Sequence, residues 1–238
     1  MIELRGISFS YGSAPVLRGV SFRAEAGEVV ALAGANGAGK TTLLRIAAGV
    51  FLPDSGEVLS NGQSAAADPV RHRKSVGYMP EADILADDMT VKAFLKFRAR
   101  LKGERVVRVR RRVLETAAVC GLGGMLDAPL NSLSRGNRRR AALADAVLMR
   151  PRHVLLDDPF AGLDPDGRAS AAAAIAALRP HSAFVCAAHE FDAIAAVATR
   201  VVVLAGGVVA ADFQVAPGMG AAEIRERAAA AQSKGGAA

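Results

Sequence analysis

"GANGAGKTT", residues 34–42, is the stretch on which the fold turns. It fits the pattern G-x-x-x-x-G-K-[ST], with Gly34, Gly39, Lys40 and Thr41 at the defining positions. Its flanks give the match weight. Upstream, "GEVVALAG" (27–34) is a short apolar run of the kind that forms a buried strand. Downstream, "KTTLLRIAAGV" (40–50) reads as a helix. A strand, a glycine-rich turn and a helix start make an anion-binding loop. Glycines, including Gly37, let backbone N–H groups wrap phosphate oxygens, and the helix N-terminus adds partial positive charge. Lys40 is placed to reach the β- and γ-phosphates of a nucleotide, and the Thr41 hydroxyl to hold Mg²⁺. Asn36 and Thr42 belong to the same loop and are expected to line the nucleotide site. An α/β fold of the P-loop NTPase type follows.

The second informative stretch is "HVLLDDPFAGLD", residues 153–164. Apolar residues run straight into two adjacent carboxylates, Asp157 and Asp158. Neighbouring side chains on a strand point in different directions, so the two acids have different tasks. At the carboxyl end of a core strand, where ligands bind in open α/β sheets, Asp157 is expected to support Mg²⁺. Asp158 is then placed to orient or deprotonate an attacking water.

Between these stretches the pattern changes. The opening alternates through Ile2, Leu4, Ile7, Phe9 and Tyr11, with a change of phase at Gly6 as a bulge would cause. "PDSGEVLSNG" (53–62) reads as turn, strand, turn. From about residue 83 to 148 the periodicity is helical, with Val91, Phe94, Leu95 and Leu101 on one stripe and Val106, Val109, Val113 and Ala117 on another. Strand signals return in "HVLL", in "AFVCAA" (183–188) and in "VVVLAGG" (201–207), with an Ala-rich helix at 168–178. An α/β core interrupted by a helical insert is the simplest reading. The end beyond Pro217 reads as a short helix that frays into "QSKGGAA", with no chemistry of its own.

The chain of 238 residues has 51% hydrophobic and 22% charged residues, a globular profile and not a disordered one. Two unpaired-looking cysteines, Cys120 and Cys186, give no zinc pattern and no disulfide framework. The first residues lack a secretory pattern, and the longest apolar run near a strand, "VVVLAGGVVAA", falls short of the about 20 residues a membrane span needs. The net charge of +7 comes mostly from arginine in "RHRK", "RVRRR" and "RGNRRR". These runs are read as solvated surface, and the scarcity of interleaved aromatics argues against a nucleic-acid platform.

With "LSRGN" (133–137) lying late in the helical insert and shortly before the acidic strand, the chain resembles the nucleotide-binding subunits of ABC transporters over about residues 1–212. "LSRGN" is similar to the LSGGQ signature of that family, with Arg135 for a glycine and Asn137 for the glutamine. The resemblance implies a RecA-like core with an antiparallel β subdomain (residues 1–81 and 146–215), an inserted all-helical subdomain (82–145) and an Ala-rich tail (216–238). It implies ATP and Mg²⁺ as ligands, with Ser134 and Gly136 contacting the γ-phosphate held by a second subunit. Tyr11 is similar to the aromatic that stacks on adenine, although a core-facing tyrosine fits the strand alternation too. His189, in "AAHE", occupies the place of the family's switch histidine. Asp164, in "AGLDP", looks like the acid that crosses the dimer interface, with Ala161 where a serine is usual. Glu81, after Pro80, stands where many members carry glutamine; it can approach Mg²⁺ through water but cannot donate as an amide does.

The family's base is usually glutamate, and Asp158 is one methylene shorter. That shortening can displace the carboxylate by roughly 1 Å, enough to cost about 100-fold in rate. Three readings follow: Asp158 acts as base in a slightly tighter site, the site is slow and the ATP-bound dimer long-lived, or a different subunit supplies the competent base; a functional but slow base is preferred. The expected partners are a second ATPase subunit, identical or different, and a membrane-spanning permease on a separate chain, with this chain on the cytoplasmic face. The Pro80–Glu81 pair and the Ser-Arg-Gly signature resemble exporters more than importers. Alternatives are a soluble ABC ATPase without a membrane partner, as in iron–sulfur assembly, and a slow or degenerate ATP-binding regulator.

Overall fold

The computed structural model describes residues 1–82, 84–187 and 194–235. Two sheets and seven helices carry these residues. The first sheet is antiparallel: β1 (Ile2–Tyr11), β2 (Ala14–Ala24), β4 (Ser55–Ser60) and the short β5 (Gln63–Ser64), in the order β2-β1-β4-β5. The phase change at Gly6 is a bulge, since the β1–β2 register shifts between Leu4 and Ile7. The second sheet has the order β10-β9-β3-β8-β7-β6. Its members are β3 (Val29–Gly34), β6 (Val76–Met79), β7 (His153–Asp157), β8 (Ala183–Ala187), β9 (Arg200–Ala205) and β10 (Val208–Gln214). All neighbours are parallel except β10, which returns antiparallel along β9.

The parallel sheet explains its own sequence. β7 and β8 are buried at every residue, so both faces are apolar and no alternation survives. Around this sheet lie α1 (Lys40–Ala47), α2 (Pro69–Ser75) and α6 (Pro165–Leu178). The insert supplies α3 (Val91–Leu101), α4 (Val106–Val119) and α5 (Arg135–Val147). One continuous apolar cluster joins the insert to the sheet, from Phe94, Leu95 and Val113 through Leu143 to Val154 and Phe184. A second cluster fills the space between the antiparallel sheet and α1, with Ile2, Leu4, Leu43, Leu44 and Val185 among its members.

The helix of the insert nearest the sheet is α5. Gly77, in β6, makes its approach possible: a Cβ there would collide with the Ala146 carbonyl of α5. Helix starts are set by side-chain caps. Thr90 accepts from the Ala93 N–H at 3.1 Å, and Asp68 from the Arg71 N–H at 3.0 Å.

Three expectations need correction. Leu101 and Val106 are 63% and 72% exposed, so neither lies on its helix's buried stripe. They are the last residue of α3 and the first of α4, where the chain turns away from the core. The C-terminal segment is also more than a fraying helix. It forms α7 (Ala221–Gly235), and its Ile224 and Ala228 are buried in the main core. Finally, the basic run "RGNRRR" is not solvated throughout, because Arg139 is only 3% exposed. The two cysteines are buried and free, and among the described residues no helix is long and apolar enough to cross a membrane.

Candidate functional site

The loop between β3 and α1 closes on itself. Gly39, the N-cap of α1, has φ 97° and packs so tightly on β2 that a Cβ would meet Leu17 Cδ2 at 2.7 Å. Only glycine suits that left-handed, crowded position. Lys40 folds back over the loop: its Nζ donates to the Gly34 carbonyl at 2.7 Å and the Ala35 carbonyl at 3.0 Å. Burial pushes the Lys40 pKa down, against the pull of the Asp157 and Asp158 charges. An anion in the loop would reverse that penalty by pairing with the ammonium.

A cleft of about 570 Å³ opens above this loop, lined by Tyr11, Val16, Asn36, Gly37, Gly39, Lys40, Thr41, Thr42 and Glu81. Thus β1, the phosphate loop and the segment after β6 meet at one opening. Tyr11 is 48% exposed, which overturns the core-facing alternative. Its ring is propped edge-on against Phe9 at 5.0 Å and Phe51 at 6.2 Å, and its hydroxyl lies 3.3 Å from Thr42 Oγ1. A supported, half-exposed ring beside a phosphate loop can offer a face to a base.

The two acids are handled differently. Asp157 ends β7 and accepts from the Thr41 hydroxyl through Oδ1 at 3.2 Å. It is 2% exposed, and its Oδ2 has no partner among the described residues. Burial raises its pKa, the Thr41 hydrogen bond opposes this, and the Glu81 charge adds to it. A buried carboxylate with one unpaired oxygen, next to a threonine hydroxyl, is a donor set that suits a hard cation such as Mg²⁺. Asp158 leaves the strand with φ 51°, in the left-handed region that aspartate tolerates better than most residues. Its N–H donates to the Ala187 carbonyl at 2.8 Å, and its buried Oδ1 is likewise unpartnered.

The signature residues lie elsewhere. Ser134 caps α5, accepting from the Asn137 N–H at 3.3 Å, and Asp164 caps α6, accepting from the Gly167 N–H at 2.7 Å. Gly136 faces Leu163, and the Arg135 guanidinium covers Gly162. None of Ser134, Gly136 or Asp164 lines the cleft. His189 lies outside the described residues.

One site residue escaped the reading of the sequence. Arg139, on α5, donates through Nη1 to the Pro80 and Glu81 carbonyls at 2.9 and 2.8 Å. Its Nε and Nη2 reach the Asp158 carbonyl at 3.2 and 2.7 Å, and Nη2 also meets the Asp157 carbonyl. Its position in an arginine run gave no sign of burial; only the docking of α5 on β6 does.

Comparison with known proteins points to one family. The family model described as "ABC transporter" matches residues 17–161. A sulfate/thiosulfate import ATP-binding protein, CysA, of Methylococcus capsulatus is 38% identical over 212 residues, covering 87% of this chain and 61% of that protein. This chain thus spans about three fifths of that relative's length. A putative ABC transporter ATP-binding protein of Archaeoglobus fulgidus is 40% identical over 202 residues, covering 81% of this chain and 67% of the relative. Among solved structures, a bacterial ABC transporter cassette determined as a dimer superposes with a TM-score of 0.82 at 22% identity, covering 91% of this chain and 99% of that one.

Proposed function

The chain belongs to the ABC transporter family of ATP-binding proteins, and on that footing we propose that it binds and hydrolyses Mg·ATP to drive a membrane transporter. The observation that carries the proposal is the cleft in which Tyr11, the phosphate loop and Glu81 converge, with Asp157 held behind Thr41. In this reading the loop N–H groups and Lys40 hold the phosphates, and the Tyr11 ring supports the base. Thr41 and Asp157 would hold Mg²⁺, and Glu81 could approach it through water. The cation's contribution is neutralisation of phosphate charge. Asp158 accepts the proton of the attacking water, its free Oδ1 being the acceptor.

Ser134, Gly136 and Asp164 are outside the cleft. The proposal therefore includes a second ATPase subunit, whose signature turn covers the nucleotide. A helix start with a serine hydroxyl and a glycine is chemically fit for that task. The solved relative determined as a dimer supports this arrangement. A membrane subunit on another chain, and a place on the cytoplasmic face, complete the proposal. The Pro80–Glu81 pair and Arg135 favour export, but the names of CysA relatives, which are importers, give export no support.

The test is steady-state Mg·ATP hydrolysis over a range of protein concentrations, for the wild type, Asp158→Glu and Asp158→Asn. Turnover per subunit should rise with concentration and fall about 100-fold or more in the Asn variant, the scale of a lost general base. A silent wild type awakened by Glu would mean that the short acid disables the site. A wild type that hydrolyses ATP equally well at every dilution would remove the second subunit from the mechanism.

A further inference from the structure

Arg139 carries a role that rests on the proposed hydrolysis and goes beyond it. Four backbone carbonyls converge on one buried guanidinium: Pro80 and Glu81 from the segment after β6, and Asp157 and Asp158 from the end of β7. These are the segments that bear Glu81, which lines the cleft, and Asp157 and Asp158, which do not. The guanidinium is borne by α5, the helix whose N-cap is Ser134. A planar fork with several N–H donors can bind carbonyls from two segments at once, which a single ammonium cannot match.

We propose that Arg139 is a positioning residue: it fixes the Asp158 turn and the Glu81 segment to α5, so that the base stands correctly only while the signature helix is docked. The geometry supports the direction of this coupling. Asp158 carries its carboxylate on a left-handed residue just past the strand end, where the ladder no longer fixes the backbone. That residue is held by its own N–H on the Ala187 carbonyl, and by its carbonyl, which accepts from Arg139 and, at 3.2 Å, from the Ala161 N–H. Releasing Arg139 leaves that carbonyl only the longer Ala161 hydrogen bond among the described residues, and so loosens the turn. A shift of about 1 Å in a catalytic group can cost about 100-fold in rate. ATP binding depends on the phosphate loop, which is tied by Lys40 to the Gly34 and Ala35 carbonyls.

The experiment measures kcat, ATP affinity without turnover, and thermal midpoint for the wild type, Arg139→Lys and Arg139→Gln. Hydrogen exchange of peptides spanning residues 80–82 and 155–161 is measured alongside. The expected result is a kcat at least about 10-fold lower in Arg139→Gln, with ATP affinity within about threefold and faster exchange in both segments together. Arg139→Lys should fall between, since an ammonium replaces the charge but not the fork. Unchanged kcat in Arg139→Gln overturns the proposal, as does a loss of kcat and affinity in parallel with the thermal midpoint. If Arg139→Gln does not fold, Arg139→Lys decides: wild-type kcat overturns the proposal, and reduced kcat at intact affinity and midpoint supports it. A wild type without ATP turnover would overturn the hydrolysis reading itself and this inference with it, whereas a turning-over wild type with an indifferent Arg139 would remove this inference alone.

Discussion

The phosphate-loop face and the signature face of this chain are built by opposite means. The first is self-contained. Lys40 reaches back to the Gly34 and Ala35 carbonyls, Thr41 to Asp157, and Tyr11 to Thr42. Each functional group already has a partner from the same chain. At the second, the Ser134 and Asp164 side chains serve as caps, accepting from the Asn137 and Gly167 N–H groups of their own helices. A cap is a local device that stabilises by about 1 kcal/mol and leaves the outward surface unused. On the proposed reading, the difference marks where a second subunit would act. One face can bind a ligand alone; the other has the right groups but nothing of its own to bind.

The largest effect should come from the self-contained face. Lys40→Ala removes the one ammonium in the loop, and charge-assisted hydrogen bonds to phosphate contribute about 1.5–3 kcal/mol each. ATP affinity of the isolated subunit should fall about 100-fold, and hydrolysis to background, as read by nucleotide titration and phosphate release. Intact binding in Lys40→Ala would break the comparison at its stronger side, because the loop would then be merely a helix cap.

The signature face calls for a variant that separates cap from contact. Aspartate is as good an N-cap as serine. Ser134→Asp should therefore keep the thermal midpoint and keep ATP affinity in dilute subunit. If Ser134 faces a partner's γ-phosphate, turnover at high protein concentration should fall about 100-fold, the scale of a lost or reversed donor at a site of developing charge. Wild-type turnover in Ser134→Asp would reduce the signature to a cap and leave the two faces without a common function.

What was legible in the sequence follows the same divide. The phosphate loop could be read because its chemistry is local: glycines, lysine and threonine act within one turn of chain. The bulge at Gly6 and the buried strands were legible for the same reason. Arg139 was not, since three arginines in a row look alike until α5 is set against β6, and that docking is permitted by Gly77, some sixty residues earlier. Leu101 and Val106 were misread because helical periodicity assigns a face but not the point where the chain leaves the core. The C-terminal helix was undervalued because an alanine-rich stretch has little amphipathic contrast, yet Ile224 and Ala228 suffice to seat it on the main core. Tyr11 stood between two readings in the sequence; strand alternation favoured the core, and only its 48% exposure decided against it.

Tyr11 also supplies the smallest and most discriminating test. It belongs to the self-contained face, yet its role there depends on a surface and not on a charge. Removing an aromatic that stacks on a base costs about 1–3 kcal/mol in nucleic-acid complexes. The lower end applies to a ring that is half-exposed, so Tyr11→Ala should weaken ATP about 5- to 10-fold. Tyr11→Phe keeps the ring between Phe9 and Phe51 and gives up only the hydroxyl at 3.3 Å from Thr42. Its affinity should remain within about twofold, since a long, partly solvated hydrogen bond contributes little. Comparing ATP with inorganic triphosphate sharpens the result. Tyr11→Ala should lose affinity for ATP but not for triphosphate, because only ATP carries a base to stack. An equal loss for both would mean that the aromatic ring acts by supporting the start of α1, and the adenine end of the cleft would have to be sought elsewhere.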